Sequence, residues 1–476
     1  MNSLLKDDDN VYLKYQEWAA WWSGDPNQLL NYYQAATGNF WSQDIEEDRE
    51  TMLHIPVAGD IASTSADLLF SETPDIKIAE AHTDEANEQA KKVQERLDTI
   101  LDEQDAYSKM LEMGETAPIF GGVYSKINWD TDYKDFPILS VAQPDNAVPN
   151  FKYGFLQDVK FYKIIDNQKN NVYYRLVEIR EKGRIRNELY KGTLGSVGKK
   201  IPLTAHPYTK DMDEVIEHGF DSLLAWYTPN KRPNRLWRHK DLGQSDLSGI
   251  EGIMDSIDEA FTSWMRDLEL GKGRIVIDEK MLDLDEDNKL VFDADKKAFV
   301  ALNQGIAGDD SMSIKNIQFD IRAEQHYATI MELLKQAYSK AGYSPDTFGL
   351  GEATSNATAT EIKQKQSKTF NTRDKKAKYF KRTLEDMFYW MLQVDNKYFN
   401  GNNGDYKVQV NLQDSVQTDP MEKADSINKL VQAKAMSIDT TVRQLHPEWN
   451  EKQVENEANK IMQENGMIVN EPDDLV

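Results

Sequence analysis

From residue 11 the apolar positions recur at helical spacing and are largely aromatic: Tyr12, Tyr15, Trp18, Trp21 and Trp22, then Tyr32 and Tyr33. Gly24-Asp25-Pro26 splits this helical stretch, 11–37, with a turn. A second helix is predicted from Pro56, near its start, to Phe70. Its Ile61, Ala62, Leu68 and Leu69, set among small Ala58, Ser65 and Ala66, mark it as buried. Glu85 to Met113 predicts a third helix, with Val93, Leu97, Ile100, Leu101 and Leu111 on one side.

At Ala117 the period changes. Ile119–Trp129, Ile138–Val141, Gln157–Ile165 and Val172–Arg180 are rich in β-branched and aromatic residues and predict strands. Gly121-Gly122, Pro144-Asp145-Asn146 and the run 167–171 punctuate them. Residues 117–228 therefore predict a mainly antiparallel β region between helical ones. The stretch 229–243 is polar and basic, with Lys231, Arg232, Arg235, Arg238 and Lys240, and predicts a loop or linker.

Helical spacing returns at Ser245–Leu270. Leu247, Ile250, Ile253, Met254, Ile257, Phe261, Trp264 and Leu268 form an apolar stripe. Glu251, Asp255, Asp258, Glu259 and Glu269 occupy roughly a third of the circumference elsewhere. An insertion over 271–320 opens with a strand at Arg274–Ile277, continues through acidic turns, and has a second strand near Leu290–Phe292. The next helix covers 322–341. A loop, 342–356, contains Pro345, Gly349 and Gly351, and a long helix covers 358–398. A strand at 406–412 and short amphipathic helices over 420–464 complete the pattern, which is α+β and mainly helical. The 476 residues suit roughly two to four domains.

Composition narrows the chemistry. Ten Trp, 21 Tyr and 17 Phe supply core material, so the low apolar share of 39% predicts an elongated or helix-rich protein rather than a disordered one. Without cysteine there is no disulfide, thiolate zinc site or cysteine nucleophile. Asp7, Asp8 and Asp9 stand where a signal peptide needs apolar residues, and no apolar run approaches the ~18 residues of a membrane span, so no membrane association is expected.

No Gly-x-x-x-x-Gly-Lys-[Ser/Thr] loop or Gly-x-Ser-x-Gly elbow occurs, and the seven histidines lack metal-ligand spacing. Gly349-Leu350-Gly351 imitates half a dinucleotide fingerprint but lacks its third glycine and preceding strand, so a hinge-like loop is the better fit. Asp283, Asp285, Asp287, Asn288 and Leu290 imitate a calcium loop. Ala294 stands where its bidentate Glu belongs, leaving a solvated acidic turn or a weak cation site. These readings leave no legible catalytic site and predict no cofactor and, that turn aside, no metal.

Charge gives a contrast. The net charge is −25, yet 361–382 holds nine basic residues against Glu361 and Asp374, a local +7 that leaves −32 on the rest. Such a segment fits phosphate binding, and it equally fits ion pairs with the protein's own acidic surface or a neighbouring subunit.

The chain resembles the portal proteins of tailed bacteriophages, in the branch of long-tailed phages of Gram-positive hosts. The resemblance rests on Ile55–Phe70 with Glu72-Thr73-Pro74, on Gly122–Asp130, and on Gln143–Pro149. The order helix, small β insertion, helix, loop, long helix and helical tail adds to it. It implies a virion protein at the capsid portal vertex, assembled in the host cytoplasm. Such proteins form a homo-oligomeric ring, commonly of about twelve subunits, around a channel for double-stranded DNA, with head-to-tail contacts.

By resemblance, 1–243 is a wing containing the β region 117–228, and 244–270 and 321–342 are stem helices. Residues 271–320 are the clip, 343–356 the tunnel loop, 357–412 the long wing helix and strand, and 413–476 the crown and tail. The implied partners are the terminase large subunit, which hydrolyses ATP, the head–tail adaptor, and the major capsid and scaffolding proteins. Thr347, Phe348, Leu350, Thr354, Ser355 and Asn356 would lie nearest DNA, and Lys363, Lys365 and Lys368 would add phosphate contacts. Glu251, Asp255, Asp258 and Glu259 would form an acidic channel face along which DNA slides, unless that face is merely solvated. A structural or scaffolding protein without DNA contact, and an enzyme with an undisplayed site, are the alternatives.

Overall fold

The computed structural model describes residues 9–34, 38–42, 52–79, 84–168, 171–271, 274–276, 283–284, 290–291, 315–317, 321–351, 364–399, 401–412, 427–429, 431–432, 436–445 and 451–464. Two compact units emerge. One contains 1–355 and 364–412, the other 356–363 and 413–476.

Helices α1 (Asp9–Ser23) and α2 (Pro26–Tyr33) flank the predicted turn. The Asp25 carboxylate accepts the Asn27 N–H, and Pro26 fills a first-turn position whose N–H would lack a partner. Helix α3 (Val57–Phe70) lies close against α5 (Ala106–Phe120) because Gly114 has no side chain. A Cβ there would come within 2.9 Å of the Phe70 ring and 3.1 Å of Ala66 Cα. Between them run β1 (Asp75–Ile78) and α4 (Asp84–Glu103). The single helix predicted over 85–113 is broken at Asp105, which adopts a left-handed φ of 50° and accepts the Ser108 N–H to start α5. Helix α5 continues through Ala117–Phe120, into the expected β region and the first two residues of its expected strand Ile119–Trp129. These residues are buried, and the Pro118 carbonyl accepts from Ser245 Oγ and the Asp246 N–H.

The β region forms two antiparallel sheets. The smaller has the order β10-β2-β3, from β2 (Gly122–Asn128), β3 (Ile138–Ala142) and β10 (Ala225–Pro229). The larger is a meander of β4 (Ala147–Lys152), β5 (Phe155–Gln168), β6 (Val172–Glu181), β7 (Arg184–Thr193) and β8 (Ser196–Ile201). Strand β9 (Val215–Glu217) pairs with the start of β7.

Residues 230–250 are tied down by side-chain amides. Asn230 Nδ2 donates to the Gln244 carbonyl at 2.9 Å, and Asn234 Nδ2 to the Gly243 carbonyl at 2.6 Å. Helix α6 (Glu251–Leu270) and helix α7 (Ala323–Ala341) are antiparallel partners. Asp267, near the end of α6, pairs with Arg322 and His326 at the start of α7 at 3.0 and 2.9 Å. Between them β11 (Arg274–Val276) pairs with β14 (Lys315–Ile317), and β12 (Asp283–Leu284) with β13 (Leu290–Val291); β11 and β13 match the two expected strands, and their partners β14 and β12 were not foreseen. Asp285, Asp287 and Asn288 of the acidic turn lie outside the described residues.

Helix α8 (Ser367–Tyr398) buries Phe380, Leu384, Met387, Phe388, Met391 and Val394, the predicted stripe. Strand β15 (Val408–Asn411) then pairs with β1, bringing the end of this unit back to the segment between α3 and α4. One core gathers Trp18, Trp21, Trp41, Ile61, Ile257 and Tyr338; a second gathers Leu97, Met113, Ile127 and the α8 stripe. In the other unit α9 (Ile438–Leu445) and α10 (Glu451–Glu464) pack through Val442, Val454 and Ala458. The α+β, mainly helical expectation holds.

Candidate functional site

On α6, Glu251, Asp255, Asp258 and Thr262 are spaced i, i+4, i+7 and i+11, which puts them on one stripe. The expectation that the acids on it line a channel is corrected by their partners within the chain. Glu251 Oε1 accepts from Lys14 Nζ and Trp18 Nε1, each at 2.9 Å. Asp255 Oδ2 accepts the Phe40 N–H at 2.9 Å. Asp258 has no solvent exposure. Its Oδ2 lies 2.7 Å from His54 Nδ1 and accepts from Trp41 Nε1 at 3.1 Å, while Oδ1 accepts the Ile55 N–H at 2.8 Å. Thr262 Oγ1 accepts the Leu53 N–H at 3.0 Å.

The carboxylates satisfy donors that the aromatic N-terminal segment brings into the interior, where an unpaired donor would cost ~1–3 kcal/mol. Burial raises the Asp255 and Asp258 carboxyls above their ordinary range. At Glu251 burial also pushes upward, but Lys14 and Trp18 more than reverse it. Glu259 alone of the four is exposed.

The described part of the 343–356 loop is anchored to the protein. Residues Pro345–Phe348 form a 3-10 turn. Phe348 stacks on Tyr338 with centroids 3.7 Å apart and planes 8° from parallel. Thr347 Oγ1 lies 2.8 Å from Thr369 Oγ1, and Leu350 packs on the first core. Gly349, at φ 73°, turns the chain back. Of the residues expected nearest DNA, Phe348 and Leu350 also pack against the first core, and all three of Thr347, Phe348 and Leu350 stay half-buried. Thr354, Ser355, Asn356 and Lys363 lie outside the described residues.

The basic segment is divided. Lys376 is buried, with Nζ 2.6 Å from Asp246 Oδ2, 2.8 Å from Ser65 Oγ and 2.7 Å from the Tyr343 hydroxyl. Lys231 Nζ lies 2.7 Å from Asp246 Oδ1 and donates to the Ala341 carbonyl at 2.9 Å. Asn230 Nδ2 and the Tyr343 hydroxyl also donate to Asp246, each at 2.7 Å.

Burial pushes the Asp246 carboxyl up, but the Lys231 and Lys376 ammoniums reverse this and hold it at about 2. Burial, reinforced by Lys231 and opposed by Asp246, lowers Lys376 to about 8. Lys368 Nζ donates to the Ser339 carbonyl and hydroxyl at 2.5 and 2.9 Å, and Arg373 Nε to the Leu68 carbonyl at 3.1 Å. Lys365 is exposed. Self-pairing thus accounts for Lys376, backbone capping for Lys368, and both for Arg373, which also pairs with Asp374 at 3.2 Å.

This cluster joins α3, the 230–246 segment, the end of α7 and α8. Sequence reasoning missed Asp246, Lys231, Tyr343 and Ser65 as its members, because their partners lie up to 311 residues apart. The one local signal is a carboxylate between buried Leu242 and Leu247. Among the described residues no group of His, Asp and Glu could hold a metal ion, and no helix is long and apolar enough to cross a membrane.

Residues 2–471 match the family described as "Phage portal protein, SPP1 Gp6-like". The chain belongs to that family, whose members are structural proteins of the phage virion and capsid. No curated protein matches the sequence. One solved structure that it resembles is titled "Virion of native gene transfer agent (GTA) particle", at 10% identity, with 89% of each chain covered and a TM-score of 0.39.

Proposed function

We propose that the chain is the repeating subunit of a closed ring at one capsid vertex, through which double-stranded DNA is packaged and released. The observation that carries this is the family match over nearly the whole chain. The antiparallel pair α6–α7 supports it, since Leu268 and Tyr327 leave apolar surface exposed on both helices, as neighbours in a ring require. In this reading α6 and α7 are the stem and 271–320 the clip that docks the terminase large subunit and then the head–tail adaptor. Residues 343–356 are the loop at the constriction, 1–243 and 357–412 the wing, and 413–476 the crown towards the capsid interior.

Of the four carboxylates expected along the channel, Glu259 is the one left exposed to face a channel or a neighbour, and Glu269 is exposed further along α6. Lys365 remains a phosphate contact in this reading, and Lys368 reaches DNA only by leaving Ser339. Thr354, Ser355, Asn356 and Lys363 complete the loop's contribution. Capsid and scaffolding proteins surround the ring. Negative-stain microscopy with mass photometry of the purified chain tests the proposal. Closed rings of about twelve subunits are expected. A monomer at all concentrations overturns it.

A further inference from the structure

Two segments distant in sequence meet at a groove of about 890 Å³ between the β4–β5 turn, β10 and α8. Arg232 and Arg382 both line it, beside Tyr379 and Tyr389. Arg232 lies in a basic stretch, 231–240, with five Lys or Arg and no acid. On α8, exposed Lys375, Lys378 and Arg382 fall within roughly 60° of the helix circumference.

The acids at the groove are already engaged. Asp386 accepts from Trp226 Nε1, Glu385 accepts the Val410 N–H and pairs with Lys381, and Asp221 pairs with Lys182. Among the described residues Arg235, Arg238, Lys375, Lys378 and Arg382 have no ion pair. The basic loop is also rigidly presented. Asn234 Oδ1 accepts the N–H groups of Leu236 and Trp237, and Trp237 packs on Tyr15 and Trp18.

Apolar side chains stand among these cations. Leu236 is 45% exposed, Phe155 64% and Tyr153 88%. Arg mixed with aromatic and aliphatic surface matches the composition of a protein interface, whereas a phosphate backbone needs charge and hydrogen bonds alone. A chain of net charge −25 repels its own copies unless a positive surface meets an acidic one. The acidic complement is at hand on α4 and the turn after it, where exposed Glu95, Asp98, Asp102, Glu103 and Asp105 have no ion pair among the described residues.

We infer that this basic, partly apolar surface is one half of a head-to-tail contact with the acidic surface of a second copy of the chain. The inference rests on the ring reading above and names a surface for it outside α6 and α7.

The test is mass photometry of wild type, R235E/R238E and K375E/R382E across concentration, at ~0.1 and ~1 M NaCl, where screening differs severalfold. Both variants should raise the half-assembly concentration by ~10-fold or more, and salt should shift wild type the same way. Circular dichroism reports folding, and R235Q/R238Q should give a smaller shift in the same direction. If a reversed chain misfolds, the wild-type salt response decides, and assembly indifferent to salt overturns the inference. Assembled wild type with unchanged variants overturns the contact alone. Wild type that never assembles overturns the ring reading together with it. Variants that assemble normally but lose affinity for a short DNA duplex give the surface to nucleic acid instead.

Discussion

The Lys376 ammonium lies 2.6 Å from the Asp246 carboxylate, with both side chains closed to solvent. A buried pair of this kind is strongly destabilising when one member is removed, because the other is left charged without compensation. K376M should therefore lower unfolding free energy by about 3–5 kcal/mol, read by urea denaturation of the purified chain. Lys231 stays beside Asp246 and holds the loss towards the lower figure. A loss under ~1 kcal/mol would show that the cluster is a bystander.

Acid should unfold the protein through named groups. Asp246 and Glu178 are each held at about 2, against ordinary values of 3.8 and 4.5. Burial opposes ionisation at both, and Lys231 with Lys376, or Arg180 with Lys126, overcomes it. A carboxyl depressed in the folded state stabilises above its ordinary value, and that stability is lost as pH falls towards 2. Each contributes on the order of 2–3 kcal/mol. His218, lowered by burial from 6.5 to about 4, begins the decline earlier, since the folded state resists its protonation below 6.5. Urea midpoints should fall progressively from about pH 6.5 downwards. In D246N the portion between 3.8 and about 2 should shrink, from a lower starting stability.

Legibility followed locality. The α8 stripe, the turn at Gly24–Pro26 and the strands at β11 and β13 were readable because period and breakers act within a few residues. The break at Asp105 and the run of α5 through Pro118 were not. Each depends on a distant partner or on burial that spacing does not report. The acidic face of α6 was misread for the same reason. Its spacing showed that the carboxylates share a face, but only the fold shows that Lys14, Phe40, His54 and Ile55 occupy it. Phe348 and Leu350 were expected nearest DNA, yet their apolar character also suits packing, Phe348 on Tyr338 and Leu350 on the first core.

The Tyr338–Phe348 stack should control how firmly the loop is held. F348A removes a partly buried ring, so a cost of ~1–3 kcal/mol is expected, below that of a full core deletion. Hydrogen exchange at the Gly349 and Leu350 amides, which bond back to Asp346 and Pro345, should accelerate more than at α8 amides. Uniform acceleration across the unit would mean that the stack supports the whole core and not the loop. In a phage, deleting 349–353 should leave rings intact and impair packaging or retention of DNA. Normal packaging would remove the loop from that role.

Ile257 and Glu259 separate folding from assembly on one helix. Ile257 has no solvent exposure and belongs to the core shared with Trp21 and Tyr338, so it is not a subunit contact. I257D should lose the folded subunit itself, because a charge placed there costs several kcal/mol. Loss of near-ultraviolet dichroism together with loss of assembly is the expected result. Two residues on, Glu259 is exposed and makes no ion pair among the described residues. E259K should change unfolding free energy by no more than ~0.5 kcal/mol. Any effect should appear only when copies or DNA are present, as a changed assembly curve or reduced packaging in a phage. If E259K matches wild type in stability, assembly and packaging alike, then no carboxylate of the predicted four serves a channel. The smooth passage of DNA would have to come from other residues.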